Sequence, residues 1–477
     1  MTEAHQVARR TTADAADADD WPMRPLAFLV AGTLFMENLD ATIVATAAPS
    51  IARSFGVTSS QIGITATAYL ATVAALIPVS GWLAARRGAR QTFLVAIALF
   101  TLASVLCSFS TNLTELSIMR VAQGAGGAMM VPVGRFVVLR ATGKSNIIKA
   151  VAYLTWPALV APVLAPAVGG LITSYATWPW IFLINLPLGV VALGVALQIM
   201  PRQARGDPGP FDWIGFVSTA VSLGCLVVLA ADLGSPTVSW PVVAVLGSVT
   251  VAVGTFAIVH LLRTRSPLVP LDALRVKTFR AAAVGGTAFR VGINGAAFLL
   301  PLFFQDGFGW SPARAGSTLL FLFLGNLLIK PATTPLLRVA KFRTVLVATA
   351  AGATLTLIGC ALLRPSTNVL LLIGVLALSG VFRSIGYTGY NTIAFADIDQ
   401  ASMRQANTLA STIQQLTQAF GVALAVISLK VGTGIVGHEE SFRFAFCVLG
   451  VAVFCALVAA IRLPIDSGDA LRGGRKA

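Results

Sequence analysis

The sequence predicts an all-α, polytopic membrane protein, and three observations carry that prediction. Of 477 residues, 56% are hydrophobic and 11% charged, whereas an ordinary soluble domain is roughly a quarter charged. The apolar residues gather in about fourteen blocks of about 18 to 25, each long enough to cross a hydrocarbon core of roughly 30 Å as a helix. The basic residues, which give a net charge of +15, fall between these blocks, most of them between alternate ones. A transmembrane barrel would need shorter segments of alternating polarity, and these blocks do not alternate.

Taken in order, the apolar windows place a first group of six helices near 26–46, 62–83, 92–110, 114–139, 148–173 and 180–200. A charged stretch with Pro and Gly, 201–212, is followed by helices near 213–232 and 241–262. Six more lie near 281–304, 313–333, 344–363, 368–390, 405–430 and 442–462. The expected organisation is a polar cytoplasmic tail over 1–25 and a six-helix bundle over 26–200. A linker with two additional transmembrane helices follows over 201–280, then a second six-helix bundle over 281–462 and a basic cytoplasmic tail over 463–477. The first twenty residues are rich in Ala, Asp and Thr, unlike a secretory signal with its basic start and short apolar stretch.

With the N-terminus in the cytoplasm, the loops on that side hold Arg86, Arg87, Arg90, Arg140, Lys144, Lys149, Arg202, Arg205, Arg263, Arg265, Arg275, Lys277, Arg280, Arg338, Lys341 and Arg343. The other side holds Arg53, Arg314, Arg364, Lys430 and Arg443. This is the positive-inside bias, and an odd number of missed helices would have scrambled it. The same spread of Lys and Arg over many short loops argues against nucleic acid, which calls for one basic stripe. A weak internal repeat pairs GWLAARRGAR (Gly81 to Arg90) with TPLLRVAKFR (Thr334 to Arg343), and repeated halves are a common way to build alternating-access transporters.

The five cysteines lie within apolar blocks without CxxC spacing, and imply neither a disulfide framework nor a metal site. His5, His260 and His438 are scattered, so no metal or other cofactor is expected. Gly143-Lys144-Ser145 resembles the end of a P-loop, but Val138 stands where the first glycine belongs and no strand precedes it. No nucleophile, metal or cofactor constellation points to an enzyme.

Charged side chains inside the membrane are the informative ones, since each costs about 3 kcal/mol at the bilayer centre on insertion scales. Glu37 and Asp40, both on helix 1, are the acids well inside a predicted span. Their i,i+3 spacing puts them on nearly one face, and two close carboxylates in a low dielectric suit a group that takes up and releases protons. The alternative is that both bond to polar neighbours or line a water cavity. Arg120, about one turn into helix 4, needs a buried partner and is expected to approach Glu37 or Asp40; otherwise it snorkels to the surface. Arg135, Arg290, Lys330 and Arg383 lie mostly toward the cytoplasmic ends of their spans, where snorkelling and function are both open. Five such cations against two acids would attract anionic or zwitterionic solutes. Gln123, Arg290, Asn294 and Arg383 are assigned to a substrate cavity. Gly124, Gly126, Gly127, Gly169 and Gly170 allow close helix approach, and Pro157, Pro162 and Pro166 bend helix 5.

Five segments in order resemble the major facilitator superfamily, in particular its fourteen-helix drug:proton antiporter branch. LDATIVATAAPSIARSFG (Leu39 to Gly56) is similar to the helix 1 motif of that branch, and Gly81 to Arg90 to the superfamily's loop 2–3 motif. RVAQGAGGAMMVPVGR (Arg120 to Arg135) resembles the helix 4 proton-transfer motif, and APVLAPAVGG (Ala161 to Gly170) the helix 5 antiporter motif. WPWIFLINLPLG (Trp178 to Gly189) resembles the entry to helix 6, and the second half fits more loosely through Phe382 to Ile398 and Asn407 to Leu416. The chain departs from the pattern at Ala85, where the loop motif has an aspartate, and at Ala161 and Ala165, where the helix 5 motif has glycines.

The resemblance implies two six-helix bundles plus two central helices, multi-pass in a bacterial inner membrane, with proton coupling at Asp40, Glu37 and Arg120. Conformational roles would fall to Gly81, Arg86, Arg87, Gly88, Arg90, Pro162, Pro166, Gly169 and Gly170. Together these readings anticipate a monomeric proton-coupled antiporter exporting small amphipathic or drug-like molecules. The alternatives are an exporter of an anionic metabolite or metal chelate and a non-transporting sensor or scaffold.

Overall fold

The computed structural model describes residues 23–141, 147–201, 209–234, 238–264, 267, 269, 271–399 and 402–464. Most of both expected tails, and the P-loop-like Gly143 to Ser145, lie outside them. The described residues form fourteen long helices. The first six are α1 (Met23–Phe55), α2 (Ser59–Arg87), α3 (Ala89–Ser108), α4 (Leu113–Ala141), α5 (Ile147–Tyr175) and α6 (Trp180–Ile199). A pair follows, α7 (Trp213–Gly234) and α8 (Trp240–Arg263). The last six are α9 (Lys277–Leu302), α10 (Pro312–Leu328), α11 (Phe342–Leu362), α12 (Val369–Ala394), α13 (Met403–Val436) and α14 (His438–Ile461). Twelve of these are long and apolar enough to cross a membrane, and α5 and α7 contribute the apolar stretches Val160–Tyr175 and Trp213–Leu229.

Several helices outrun their apolar windows. α1 continues to Phe55 through Ser50, Arg53 and Ser54, and α13 runs for 34 residues. Hydropathy falls where a helix leaves the hydrocarbon, but its backbone hydrogen bonds continue through the headgroup layer. α9 ends differently: after Pro301 the chain widens into a π-helical turn, Phe303–Gly307, as expected where proline removes an amide donor from the ladder.

The repeat hinted at by the sequence is explicit in the packing. In the first bundle α1 packs on α5, α2 on α4, and α3 on α4 and α6; in the second, α9 packs on α13, α10 on α12, and α11 on α12 and α14. Adding eight to each helix number converts one set into the other. The two bundles meet symmetrically, α5 against α10 and α2 against α13. Two hydrogen bonds between them lie at the face opposite the basic loops: Gln305 Nε2 donates to the Thr46 carbonyl at 2.8 Å and the Ala313 amide to Ser174 Oγ at 3.0 Å.

The additional pair lies outside this repeat. α7 packs on α8 and flanks both α2 and α13, whereas α8 presents Val245, Val251 and Phe256 outward. The entry to α7 is tied to the loop 2–3 motif: Trp82 Nε1 donates to the Gly209 carbonyl at 3.1 Å, its ring lies 4.9 Å from that of Phe211, and the Arg86 guanidinium sits 5.0 Å from the Trp82 ring centre. Trp82→Ala should destabilise this junction by about 1–3 kcal/mol. Hydrogen exchange is expected to rise in α7 and α8 while α1 and α4 stay protected.

Candidate functional site

The site begins with the glycines of α4. A Cβ at Gly124 would lie 2.7 Å from the Tyr69 carbonyl oxygen of α2, and one at Gly126 2.6 Å from the Phe100 nitrogen of α3. One at Gly127 would lie 2.9 Å from the Tyr69 hydroxyl and 3.5 Å from Glu37 Oε1. Three bare positions within one turn therefore let α4 settle between α2 and α3, close to α1. That approach carries Arg120 and Gln123 onto Asp40.

A buried polar network is centred on Asp40. Arg120 Nη1 forms a buried ion pair with Asp40 Oδ2 and donates to Gln123 Oε1 at 2.7 Å. Asp40 Oδ1 accepts from Gln123 Nε2 and Asn185 Nδ2, each at 2.9 Å. Ser104 Oγ accepts from Asn185 at 2.9 Å and from Gln123 at 3.2 Å, and itself donates to the Phe182 carbonyl at 3.0 Å. The Arg120 guanidinium lies 4.2 Å from the Tyr69 ring centre. Helices α1, α2, α3, α4 and α6 thus each supply a member. Asp40 is 1% exposed and Arg120, Gln123 and Asn185 are 0% exposed, so the ion pair has protein dipoles in place of water.

Glu37 lies one turn earlier on α1 and is treated differently. It is 8% exposed, and its Oε2 has no hydrogen-bond partner. Asp40 is thus saturated with hydrogen-bond donors, whereas Glu37 retains a free acceptor.

Arg120 does not snorkel: it lies about two turns inside α4 and is fully buried. Gln123, assigned from the sequence to a substrate cavity, is sealed within the Asp40 network instead, because the glycine-mediated approach of α4 leaves it no open side. Arg290, Asn294 and Arg383 gather in the second bundle. Arg290 Nη2 donates to Asn391 Oδ1 at 2.7 Å, Tyr387 OH to Asn294 Oδ1 at 2.5 Å, and Arg383 Nη2 to the same Oδ1 at 3.5 Å. Lys330, in the short helix Lys330–Val339 after α10, donates to Thr388 Oγ1 at 3.0 Å.

The motif residues fall at junctions. Gly88, with φ 94°, ends α2 and opens α3, a conformation suited to glycine. Arg90 Nη2 reaches the Leu197 carbonyl of α6 at 2.5 Å, while Gly81, Arg86 and Arg87 are exposed. Pro162 is half-buried and Pro166 buried, with the Pro166 carbonyl against Gly316 of α10. Gly169 faces Ile43 of α1, and Gly170 faces Pro312 at the start of α10. Tyr69, Ser104, Asn185 and Tyr387 were not singled out from the sequence. Asn185 carried a usable signal as the lone polar residue in IFLINLPLG.

Comparison with known proteins agrees with this architecture. The family model described as Major Facilitator Superfamily matches residues 30–422. "Putative multidrug resistance protein MdtD" of Escherichia coli O6:H1 is 36% identical over 468 residues, covering 95% of this chain and 97% of that protein. The protein of the same name from Escherichia fergusonii is also 36% identical, with the same coverage. Among solved structures, a D-xylose–proton symporter superposes with a TM-score of 0.66 at 15% identity, covering 94% of this chain and 98% of that one. A POT family transporter in complex with 5-aminolevulinic acid superposes with a TM-score of 0.68 at 16% identity, covering 94% and 96%. At such identities these structures speak for the fold alone. With the family model spanning most of the chain and relatives matching nearly end to end, the chain belongs to the major facilitator superfamily and is a transporter rather than an enzyme.

Proposed function

We propose that this protein is a proton-driven exporter of small amphipathic molecules, working by alternating access between its two bundles. The observation that carries the reading is the pair of acids on α1, one locked to Arg120 and the other one turn away with a free carboxylate oxygen. Glu37 is the proton's entry point and Asp40 the group whose ion pair is weakened when protonation reaches it. Loss of the Asp40 charge frees α1 from α4, and with it the register of α1 against α5 and α9. Protons enter from the periplasm, solute leaves toward it, and the bundles rock to return the protons inside. The basic loops and both termini lie in the cytoplasm, as the positive-inside bias supports, in the inner membrane of a bacterium. The relatives' multidrug name supports amphipathic cargo, and a monomer suffices because the two bundles enclose one path.

The test uses the full chain in liposomes with an imposed pH gradient and a fluorescent amphipathic substrate. Glu37→Gln is expected to abolish gradient-driven accumulation, a loss of at least about tenfold or 1.4 kcal/mol of driving interaction, while substrate exchange without a gradient persists. Full driven accumulation in both Glu37→Gln and Asp40→Asn would remove the pair from the mechanism. No flux in the unmodified protein would favour the sensor or scaffold reading.

A further inference from the structure

We infer that the second bundle holds a receptor for the acidic group of an organic anion, built from Arg290 and Asn294 of α9 and Arg383 and Tyr387 of α12, with Lys330 beside it. The inference rests on the reading of this protein as an exporter with a solute path between its bundles, and it specifies the class of solute.

Charge balance is the first argument. Arg290, Lys330 and Arg383 all lie within membrane-spanning helices. Ion pairs join Arg120 to Asp40, His260 to Asp212, Arg275 to Asp272 and Arg443 to Glu440, and among the described residues these three cations belong to none of them. Arg120 of the first bundle therefore has a carboxylate partner, and Arg290, Lys330 and Arg383 of the second have none among the described residues. Arg290 and Arg383, which lie mid-span where a charge costs about 3 kcal/mol to insert, stand without a compensating acid among the described residues, and Lys330 joins them from the end of its span.

Hydrogen-bond capacity gives the same sign. Asn294 Oδ1, the acceptor of that side chain, is taken by Tyr387 and Arg383. Its amide nitrogen is buried without a partner, as are Arg290 Nε and Ser384 Oγ, and Arg290, Asn294 and Ser384 are 5%, 8% and 1% exposed. Arg383 makes two contacts at 3.5 Å, at the long limit for a hydrogen bond, so its guanidinium is available. What remains is a set dominated by donors, and an acceptor-only group such as a carboxylate satisfies it.

Orientation places the set inside the protein. Leu371 and Leu378 of α12 are 60% and 49% exposed and share one lipid-facing side. At 100° per residue, Arg383 points about 140° and Tyr387 about 180° away from Leu378. The half-exposure of these two side chains is therefore toward the bundle interior. Arg383 also lies 5.6 Å from the Tyr387 ring centre and 5.8 Å from that of Phe323. Those rings offer an apolar wall to the body of a solute whose acidic group meets the arginines.

The test is binding to the full-length protein in phosphatidylcholine nanodiscs without a pH gradient, so its outcome is independent of proton coupling at Glu37 and Asp40. Calorimetry compares three probes of one shape: 1-naphthoate, 1-naphthamide and 1-naphthylmethylammonium. The carboxylate is expected to bind at least about tenfold more tightly than the amide. Arg290→Gln or Arg383→Gln should erase that ratio, Arg383→Lys should keep most of it, and Arg443→Gln at the surface should leave it intact. The lysine variant separates lost charge from a misfolded bundle. Equal binding of the three probes, no binding of any, or preference for the ammonium overturns the inference. So does a carboxylate preference that survives the Arg290→Gln/Arg383→Gln pair, or one that disappears once phosphatidylglycerol is added, which would make the site a lipid-headgroup site.

Discussion

Arg120→Ala is expected to abolish proton-driven transport and to destabilise the first bundle by about 3–5 kcal/mol, the range for removing one partner of a buried ion pair. The size follows from burial: Asp40 is 1% exposed, so after the substitution its charge would keep two neutral amide donors and lose its counter-charge. Neutralising the acid as well should reverse much of the damage. Asp40→Asn/Arg120→Ala should regain thermal stability relative to Arg120→Ala and remain without driven transport, because no ion pair is left for a proton to switch. The cycle isolates the pair's coupling, which should exceed about 1 kcal/mol for groups in direct contact. Unfolding in detergent and gradient-driven flux are the two measurements. Additive stability effects, or driven flux retained in Arg120→Ala, would reduce the pair to scaffolding.

What the sequence could and could not convey follows from which residues interact locally. The helices were legible because twenty apolar residues in a row admit few other structures in a bilayer, and the loop charges ordered them. Glu37, Asp40 and Arg120 were legible because a charge in an apolar span is costly and therefore conspicuous. Which acid Arg120 meets was not, since Glu37 and Asp40 share a face of α1 and the choice depends on how far α4 slides in. That depth is set by contacts of Gly124 and Gly126 with backbone atoms of Tyr69 and Phe100, some fifty and some twenty-five residues distant. Gln123 is ambiguous in sequence for the same reason, since a polar residue one turn from an arginine can line a cavity or, as here, complete a network. Asn185 and Ser104 are ordinary residues in sequence, and their part is created only when α3 and α6 close on Asp40.

The two bundles share one packing plan and differ in charge. At the first bundle's centre an acid is met by an arginine and two amides; in the second, arginines face amides and a phenol. The proposed proton and solute sites consequently sit on opposite sides of the interface between the bundles. Coupling between them needs no direct contact, only a shared dependence on whether the bundles are closed at a given face.

That dependence makes Gly316 the position of the second large effect: Gly316→Val should shift the protein toward a state open at the face opposite the basic loops and disable transport. A Cβ at Gly316 would overlap the Pro166 carbonyl oxygen of α5, and one at Gly170 the Pro312 carbonyl oxygen of α10. Both obstacles are backbone atoms, so no side-chain rotation relieves them and the two helices must separate. The contacts lie one turn apart and are reciprocal, each bundle giving a glycine to the other's carbonyl. Overpacking of this kind costs about 1–3 kcal/mol, which lowers the population of the closed state by about 5- to 150-fold. Spin labels at Tyr175 and Ser311, which flank the contact and are both exposed, should report a longer distance in Gly316→Val than in the parent cysteine-free protein. Gly316→Ala should fall between the two, and Gly170→Ala should act in the same direction. Gly81→Ala, where an added methyl meets nothing within 4 Å, should leave the distance unchanged. An unaltered distance with full transport in Gly316→Val would mean that the α5–α10 contact is no part of the gate.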